Sequence, residues 1–570
     1  MIVLDPAVVD LQPRASLRNH ILACVVIALP WIIGSALFNG FERFPHNDDW
    51  LYARSVQGWM ESGDYHHVTQ HGELAASVAA HVAWGKVLHF SQPFSMNTLH
   101  FSQAVAAWLA CCAVYVLAQY IGVRFLASCT LALVIAVCPL FYGHSFTFMT
   151  DVTALSLVAI ATLCFHLALR DLPEHVSQLW LVTGGFAAAL AFWCRQTHIL
   201  CLVYPGLLLL THCRELRFCG LRRHLALLVV IPLAAVLAFE WNLIVPGDDE
   251  RIGIVLPKDW DLHRWKQIAI HLYGMCLILG LLALPLFPFL ARTAFCYRPI
   301  GRICGAGWVT AVVAIGLLGV FITYGGRLFI TQTTGYFLQN GHFGPILLAD
   351  AKISSMADVI WPDWIWQVIS VGCILSFSVI VWWTVKLATT ADSVIRRRTV
   401  AMAGFGAVAT LFMLALITAV MDRYWMILFV PCIYVLATAL GELKEFVISP
   451  WWRRSGMLIG VGLFWISLVM THDLLAWNEQ RGQQMHAWIE RGIKDEHLDA
   501  GADLNGWLLS EHDPDTMQRA GDLTRSWRGF ARYCILHRSE APEGWVEDGQ
   551  RSWFSWATMS EQTMYMYRKP

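Results

Sequence analysis

A chain of 570 residues with 57% hydrophobic and only 14% charged residues is far poorer in charge than soluble proteins, where about a quarter of residues are charged. Lys+Arg 40 against Asp+Glu 41 leave a formal net charge of -1, so there is no basic surface for nucleic acid and no acidic tail. The apolar and aromatic content excludes a disordered chain, and the long apolar runs exceed what a soluble core absorbs, so the sequence reads as an all-α polytopic membrane protein.

A crossing helix needs about 20 mostly apolar residues. Runs of that kind lie near 20–38, 98–120, 126–143, 151–169, 178–194, 197–212, 224–246, 268–290, 303–324, 364–385, 400–420, 424–441 and 456–471, thirteen in all. The first has no small-residue cleavage site behind it and is read as a retained helix. The stretch 74–90 is rejected as a span because it carries His81, Lys86 and His89, and a mid-membrane Lys costs about 2.5–3.5 kcal/mol on an insertion scale. Instead, the outer loop 39–97 is expected to hold two interfacial helices. One, about 48–61, stripes Tyr52, Val56, Trp59 and Met60; the other sets Leu74, Val78 and Val82 at i, i+4, i+8.

With the N-terminus in the cytoplasm, Arg14 and Arg18, Arg214 to Arg223, Arg292 to Arg302, Arg396 to Arg398, and Arg453 with Arg454 all fall inside. The segments 39–97, 247–266, 325–363 and 472–570 then fall outside. Residues 1–471 are expected to form the transmembrane domain. Residues 472–570 are expected to form a small extracytoplasmic α/β appendage, with strand-like alternation in TMYMYRK near its end. The 16 cysteines include no CxxC pair, and Cys534 stands alone in that polar tail, so no disulfide framework is expected there.

The residues able to carry chemistry gather on the outer side. Asp48 and Asp49 open the first interfacial helix, where Asn47 could cap it and first-turn acids suit its dipole. A carboxylate at the membrane surface can equally deprotonate a hydroxyl or hold a divalent cation. Asp151 stands at the outer end of the fourth span, where Thr147 or Thr150 could cap the helix, and near-membrane acids often mark function. Arg195 in WCRQTH, Arg423 in MDRYWMILFVP, Lys86 and Arg327 are cations on the same side, suited either to anchoring or to a phosphate. Tyr52, Gln196, His198 and Glu240 are candidates for holding an acceptor or backing the acids. His67 and His71 have a metal-compatible i, i+4 spacing, although Gly63 and Gly72 favour a turn there. Glycines at 325, 326, 335, 341 and 344 suit either a lid or a plain long loop in 325–363. No Walker motif, GxSxG or strand-to-helix GxGxxG is present.

Four ordered pieces resemble the GT-C superfamily of membrane glycosyltransferases. They are DDWLYA (Asp48 to Ala53) ending in Gly63-Asp64-Tyr65, the MTD of Met149 to Asp151, the RQ after the fifth span, and DRYWMILFVP from Asp422 to Pro431. The tail, with THDLLAWNEQRG followed by DAGADLNGW, is similar to the extracytoplasmic tails of some bacterial members. The resemblance implies a polyprenyl-phosphate sugar donor and an acceptor hydroxyl on lipid A, lipopolysaccharide core, another envelope glycan or a protein. It also implies a bacterial inner-membrane location with an external site, Asp48 as catalytic acid of the first loop and Asp151 as supporting acid. The sequence departs from the family in placing Asp49 where Glu is frequent. It also has HGELAAS (His71 to Ser77) where many members carry a Pro-containing basic segment, which leaves Lys86 as a stand-in and a divalent metal an open question. A flippase for a lipid-linked sugar and an O-antigen-type polymerase or ligase are the competing readings. A transporter, however, places its polar groups near the midplane, whereas these acids cluster at one face.

Overall fold

The computed structural model describes residues 16–38, 40–41, 43–46, 48–65, 78–90, 92–240, 261–296, 304–323, 338–339, 342–343, 361–416, 422–443, 450–512, 531–537 and 539–570. His67 and His71, Asn47, Arg327 and most of 325–363 lie outside them. Among the described residues ten helices are long and apolar enough to cross a membrane, and three shorter apolar ones lie at the remaining expected runs. The chain is a multi-pass membrane protein with a mostly helical fold.

The helices follow chain order as α1 (Leu17–Leu37), α2 (Asp49–Ser62), α3 (Ala79–His89), α4 (Met96–Ile121), α5 (Phe125–Ala136), α6 (Pro139–His144), α7 (Thr150–Ala168), α8 (Gln178–Cys194) and α9 (Val203–Thr211). They continue as α10 (Arg217–Glu240), α11 (Leu262–Ala283), α12 (Phe287–Cys296), α13 (Cys304–Thr323), α14 (Asp363–Thr390), α15 (Ser393–Leu416), α16 (Phe429–Glu442), α17 (Pro450–Glu490) and α18 (Ala502–His512).

Several apolar runs read as single spans are interrupted. The third breaks at Cys138, because Pro139 cannot donate to the preceding turn and instead opens α6 at its first position. Arg195 is extended (φ -160°, ψ 112°) and separates α8 from a 3-10 turn, Gln196–Leu202, that leads into α9. A second 3-10 turn, Asp422–Leu428, precedes α16. Each break leaves backbone polar groups outside regular helical pairing, a condition that membrane proteins confine to protein-lined regions.

α2 covers the expected stretch near 48–61, whereas α3 begins only at Ala79, with Val78 as its N-cap, Val82 within it and Leu74 outside the described residues. Val56 on α2 and Val82 on α3 are buried in a small cluster with Ala53, Val78, Met96, Leu99 and Phe148, and Tyr52, Trp59 and Met60 pack against it. With 11 residues, α3 reaches only about 16 Å, too short to span the hydrocarbon.

Close helix approach depends on small residues, as is usual where both lipid and partner helices are apolar. A side chain at Gly280 of α11 would overlap the backbone carbonyl of Cys373 in α14, and one at Gly456 of α17 would overlap the carbonyl of Pro285. The thirteenth apolar run and the polar start of the tail are one continuous helix: α17 has 41 residues and is about 60 Å long, twice the hydrocarbon thickness. Beyond it come α18 and a four-stranded sheet in the order β3-β4-β6-β5, from β3 (Leu498–Asp499), β4 (Tyr533–Leu536), β5 (Val546–Ser555) and β6 (Ser560–Arg568). β3 and β4 are parallel and the other pairs antiparallel. The separate pair β1 (Leu338–Gln339) and β2 (His342–Phe343) is antiparallel.

Gly280→Ala is expected to lower stability by about 1–3 kcal/mol, because a methyl group there must push α11 off a backbone rather than a movable side chain. Thermal unfolding in detergent, with Gly316→Ala as the control in open space, measures it.

Candidate active site

Four charged residues far apart in sequence meet at one end of the bundle. Arg423 Nη2 lies 3.2 Å from Asp48 Oδ2, and Arg423 Nε lies 3.9 Å from Asp151 Oδ2. Arg195 Nη1 donates a short hydrogen bond to Asp151 Oδ1 and reaches Thr150 Oγ1 at 3.4 Å. Tyr424 presents its ring to both cations, 4.1 Å from the Arg195 guanidinium and 5.7 Å from that of Arg423. The Met149 sulfur lies 3.9 Å from Arg423 Nη1.

Each member stands where a helix starts or breaks. Asp48 takes the N-cap position of α2 and makes no side-chain capping bond; its carboxylate turns to Arg423 instead. The N-cap of α7 is Met149, also without a side-chain cap, and Thr147 donates back to His144 O, so neither expected threonine caps that helix. Asp151 occupies the first turn of α7, where the helix dipole favours a carboxylate. The extended backbone at Arg195 releases its side chain from the face of α8. Asp422 accepts a bond from the Arg423 backbone N–H at 2.7 Å, which pins the start of the 3-10 turn. Two carboxylates thus face two guanidiniums. Asp151 and Arg423 have side chains 2% and 5% exposed, while Asp48 at 28% is the member most open to an incoming group.

The adjacent acids of the first loop separate completely. Asp49 is fully buried: its Oδ1 accepts from the His46 N–H at 2.5 Å, and its Oδ2 accepts from the Phe148 N–H at 3.3 Å and lies 3.1 Å from His100 Nε2. It fastens the first outer loop to α4 and to the approach of α7, and its contacts are with none of the clustered arginines. Tyr52, partly buried, stands edge-on to His81 at 5.4 Å, and desolvation raises its phenol pKa, so it stays a neutral hydroxyl near Asp48 and Arg423. His81 stacks on Phe148 and contacts Thr153 Oγ1 at 3.1 Å, joining α3 to α7.

Gln196 begins the 3-10 turn beside Arg195, and His198 is buried in that turn with Nδ1 3.2 Å from Thr197 Oγ1 and no hydrogen-bond partner on Nε2. Lys86 lies elsewhere: its Nζ sits 4.2 Å over the Trp59 ring and donates to Trp59 O at 3.3 Å, tying α3 to α2. Glu240 ends α10, and its side chain is outside the described residues, as are Arg327, His67 and His71. Among the described residues no group of three or more His, Cys, Asp and Glu is placed to hold a metal ion, and a guanidinium already stands between Asp48 and Asp151. The described residues alone do not make up a metal centre there.

The sequence offers Thr150 only as a cap and Met149 only as part of MTD, and it does not point to the Tyr424 ring against the guanidiniums or to the anchoring role of His100. Tyr424 was reachable, since it directly follows Arg423; His100 was not, because its partner is 51 residues away. At the opposite end of the bundle Arg397 pairs with Glu215 at 2.8 and 2.9 Å and Arg398 donates to Arg170 O. A cavity there, lined by His166, Arg398, Tyr434 and Glu442, contains none of the clustered acids.

Burial raises the Asp49 carboxyl from an ordinary 3.8 to about 6, opposed mainly by His100. The folded state therefore holds this proton more tightly than the unfolded one, and ionisation subtracts stability as pH rises from about 4 through about 6. Thermal stability measured from pH 5 to pH 7.5 is expected to fall more steeply in the parent chain than in Asp49→Asn, which cannot ionise.

No protein-family model matches the chain, and no curated protein does. Solved structures do show a distant likeness. The archaeal oligosaccharyltransferase AglB from Archaeoglobus fulgidus, in complex with an inhibitory peptide and a dolichol-phosphate, has 14% identity and a TM-score of 0.44, over 90% of this chain and 60% of that one. ArnT from Cupriavidus metallidurans, bound to undecaprenyl phosphate, has 13% identity and a TM-score of 0.43, over 96% and 98% of the two chains. Arabinosyltransferase EmbB from Mycobacterium smegmatis has 12% identity and a TM-score of 0.33, over 84% of this chain and 42% of that one. The chain thus spans about 60% of the length of the AglB chain it is similar to.

Proposed function

We propose that the chain is an integral-membrane glycosyltransferase that moves a sugar from a polyprenyl-phosphate donor to an acceptor hydroxyl of lipid A, lipopolysaccharide core, another envelope glycan or a protein. The observation that carries this reading is the meeting of Asp48, Asp151, Arg195 and Arg423 at one end of a lipid-embedded bundle. The ordered motifs that contribute these residues support it, since each belongs to one piece of the GT-C pattern.

The chemistry needs little beyond those groups. A sugar C1 bonded to phosphate already has a good leaving group. The acceptor oxygen attacks C1 as its proton passes to the Asp48 carboxylate; the C1–O bond to phosphate breaks, and the electron pair leaves on the polyprenyl phosphate. Arg195 and Arg423 hold the phosphate charge, a task suited to the guanidinium fork. Attack opposite the leaving group inverts C1.

Arg423 has two tasks that cannot be done at once. At rest it is paired with Asp48. An arriving phosphate competes for the same guanidinium, and the exchange frees Asp48 to accept the proton. Base activation is thereby tied to donor binding. Asp151 keeps Arg195 in place, and Tyr52, Gln196 and His198 are the described candidates for holding the acceptor, with the Glu240 side chain outside the described residues.

The same reading assigns residues 1–471 to a transmembrane catalytic domain and 472–570 to an extracytoplasmic one. It places the N-terminus in the cytoplasm of a bacterial inner membrane and the acids outside, in line with the Arg-rich loops at the opposite end.

In proteoliposomes supplied with a polyprenyl-phosphate sugar, Asp48→Asn is expected to reduce transfer by about 10²–10⁴-fold, the usual worth of a general base. Asp49→Asn should lose much less. Arg195→Gln and Arg423→Gln should raise the donor KM about tenfold or more. Full transfer by a correctly inserted Asp48→Asn protein removes the assignment.

A further inference from the structure

The segment that presents Asp48 is gripped on one side by the tail. Asn478 of α17 donates to Pro45 O at 3.1 Å, and the Phe44 ring occupies the space a side chain at Gly482 would need. Trp50 packs in the same way against Gly506 of α18. Arg54 Nη2 donates to Trp507 O at 2.6 Å, with its guanidinium 3.6 Å over the Trp507 ring. Phe94, just before α4, stacks on the other side of this contact at 6.0 Å from Trp507.

Beneath these contacts sits a buried ion pair. Arg481 Nη1 donates to Asp503 Oδ1 at 2.9 Å, Nη2 donates to Asp503 Oδ2, and Nε donates to Asn478 Oδ1 at 3.0 Å. The two side chains are 1% and 5% exposed. Asn478, Arg481 and Gly482 share one face of α17 by their i, i+3, i+4 spacing, so the pair fixes both the helix face that holds Phe44 and Pro45 and the helix, α18, that holds Trp50 and Arg54. On the other side, Asp49 binds the same segment to His100 and the Phe148 N–H. In the chain Asp48 lies between Pro45 and Asp49, which carry the two attachments, and its carboxylate faces Arg423.

We infer that the C-terminal segment is a positioning device for Asp48, with the buried Arg481–Asp503 pair as its lock, so that residues 472–512 act in the reaction through the first outer loop. This rests on Asp48 being the base. Arg481 touches no reacting group; it is a positioning residue. An α17 and α18 that only docked a separate domain would have no reason to take hold of four residues between 44 and 54.

The test uses the full chain in lipid nanodiscs, with Arg481→Gln and, as the milder change, Gly482→Ala, which sets one methyl group against the Phe44 ring. Hydrogen exchange across 43–62 and transfer kinetics are measured together. The expected result is faster exchange confined to 43–62, unchanged exchange in β4–β6, and kcat lower by about tenfold or more with donor KM within about twofold. Unchanged exchange in 43–62 overturns the inference, as does faster exchange there with parent kcat. Exchange that quickens through β4–β6 in both variants also overturns it, since the pair would then serve the fold of the tail. Asp48→Asn, run in parallel, separates the failures: its full activity sinks the transferase reading, whereas the exchange data judge the grip on their own.

Discussion

Arg423 bridging Asp48 and Asp151 is the contact on which the rest of the site depends. It joins the first outer loop, the head of α7 and the turn before α16, three parts of the chain separated by more than a hundred residues each. Removing two carboxylates and two guanidiniums from water costs several kcal/mol per ion, and their mutual attraction offsets this only in good geometry. A buried network of this kind is therefore poor evidence of stability. In a chain with 14% charged residues, where an apolar side chain could fill the same space, it is better evidence of a task.

The task shows in where the charges sit. None of the four lies in the middle of a long regular helix: Asp48 is an N-cap, Asp151 a first-turn residue, Arg195 an extended break and Arg423 part of a 3-10 turn. Helix ends carry unpaired backbone groups and partial charge, so they tolerate ions better than helix middles do. They also lie at one level of a bundle whose other end holds Arg397, Arg398, Arg170 and Glu215. The two ends differ in kind: one is a closed acid–base cluster, the other a set of basic loops of the sort retained on the cytoplasmic side.

Much of the fold was legible because hydrocarbon thickness is a severe constraint, and apolar runs of the right length have few other uses. The rejection of 74–90 as a span uses the same physics, and α3, the described helix within it, has 11 residues, too few to cross. Legibility failed where local sequence and tertiary contact compete. Cys138-Pro139, Arg195 and the 422–428 turn sit inside runs that read as continuous, since hydropathy averages over a break that a neighbouring helix stabilises. The separate ends expected for the last span and the tail helix are one helix, because α17 keeps helical pairing past the apolar boundary. At the site, charge parity brought Asp48, Asp151, Arg195 and Arg423 to one side, and they do meet. What parity could not decide was direction: residues i and i+1 point about 100° apart on a helix, so Asp48 and Asp49 part company, and Lys86 turns to Trp59 on its own helix pair.

A quartet of two acids and two bases is neutral as a whole, and that neutrality constrains any mechanism built on it. A site with an excess of positive charge would hold a polyprenyl phosphate after the sugar had gone and would release it slowly. On the proposed reading, with two carboxylates present each guanidinium would have a partner to return to when the phosphate departs, so anion binding would be an exchange between nearly matched partners and not a one-way capture. The exchange is unequal between the two arginines. Asp151 is 2% exposed and held by Arg195 at close range, whereas Asp48 is the exposed partner and its contact with Arg423 is the longer one. Asp48 is thus the carboxylate most easily displaced, and on the proposed reading displacement leaves it at the open edge of the site, the place a base for an incoming hydroxyl requires.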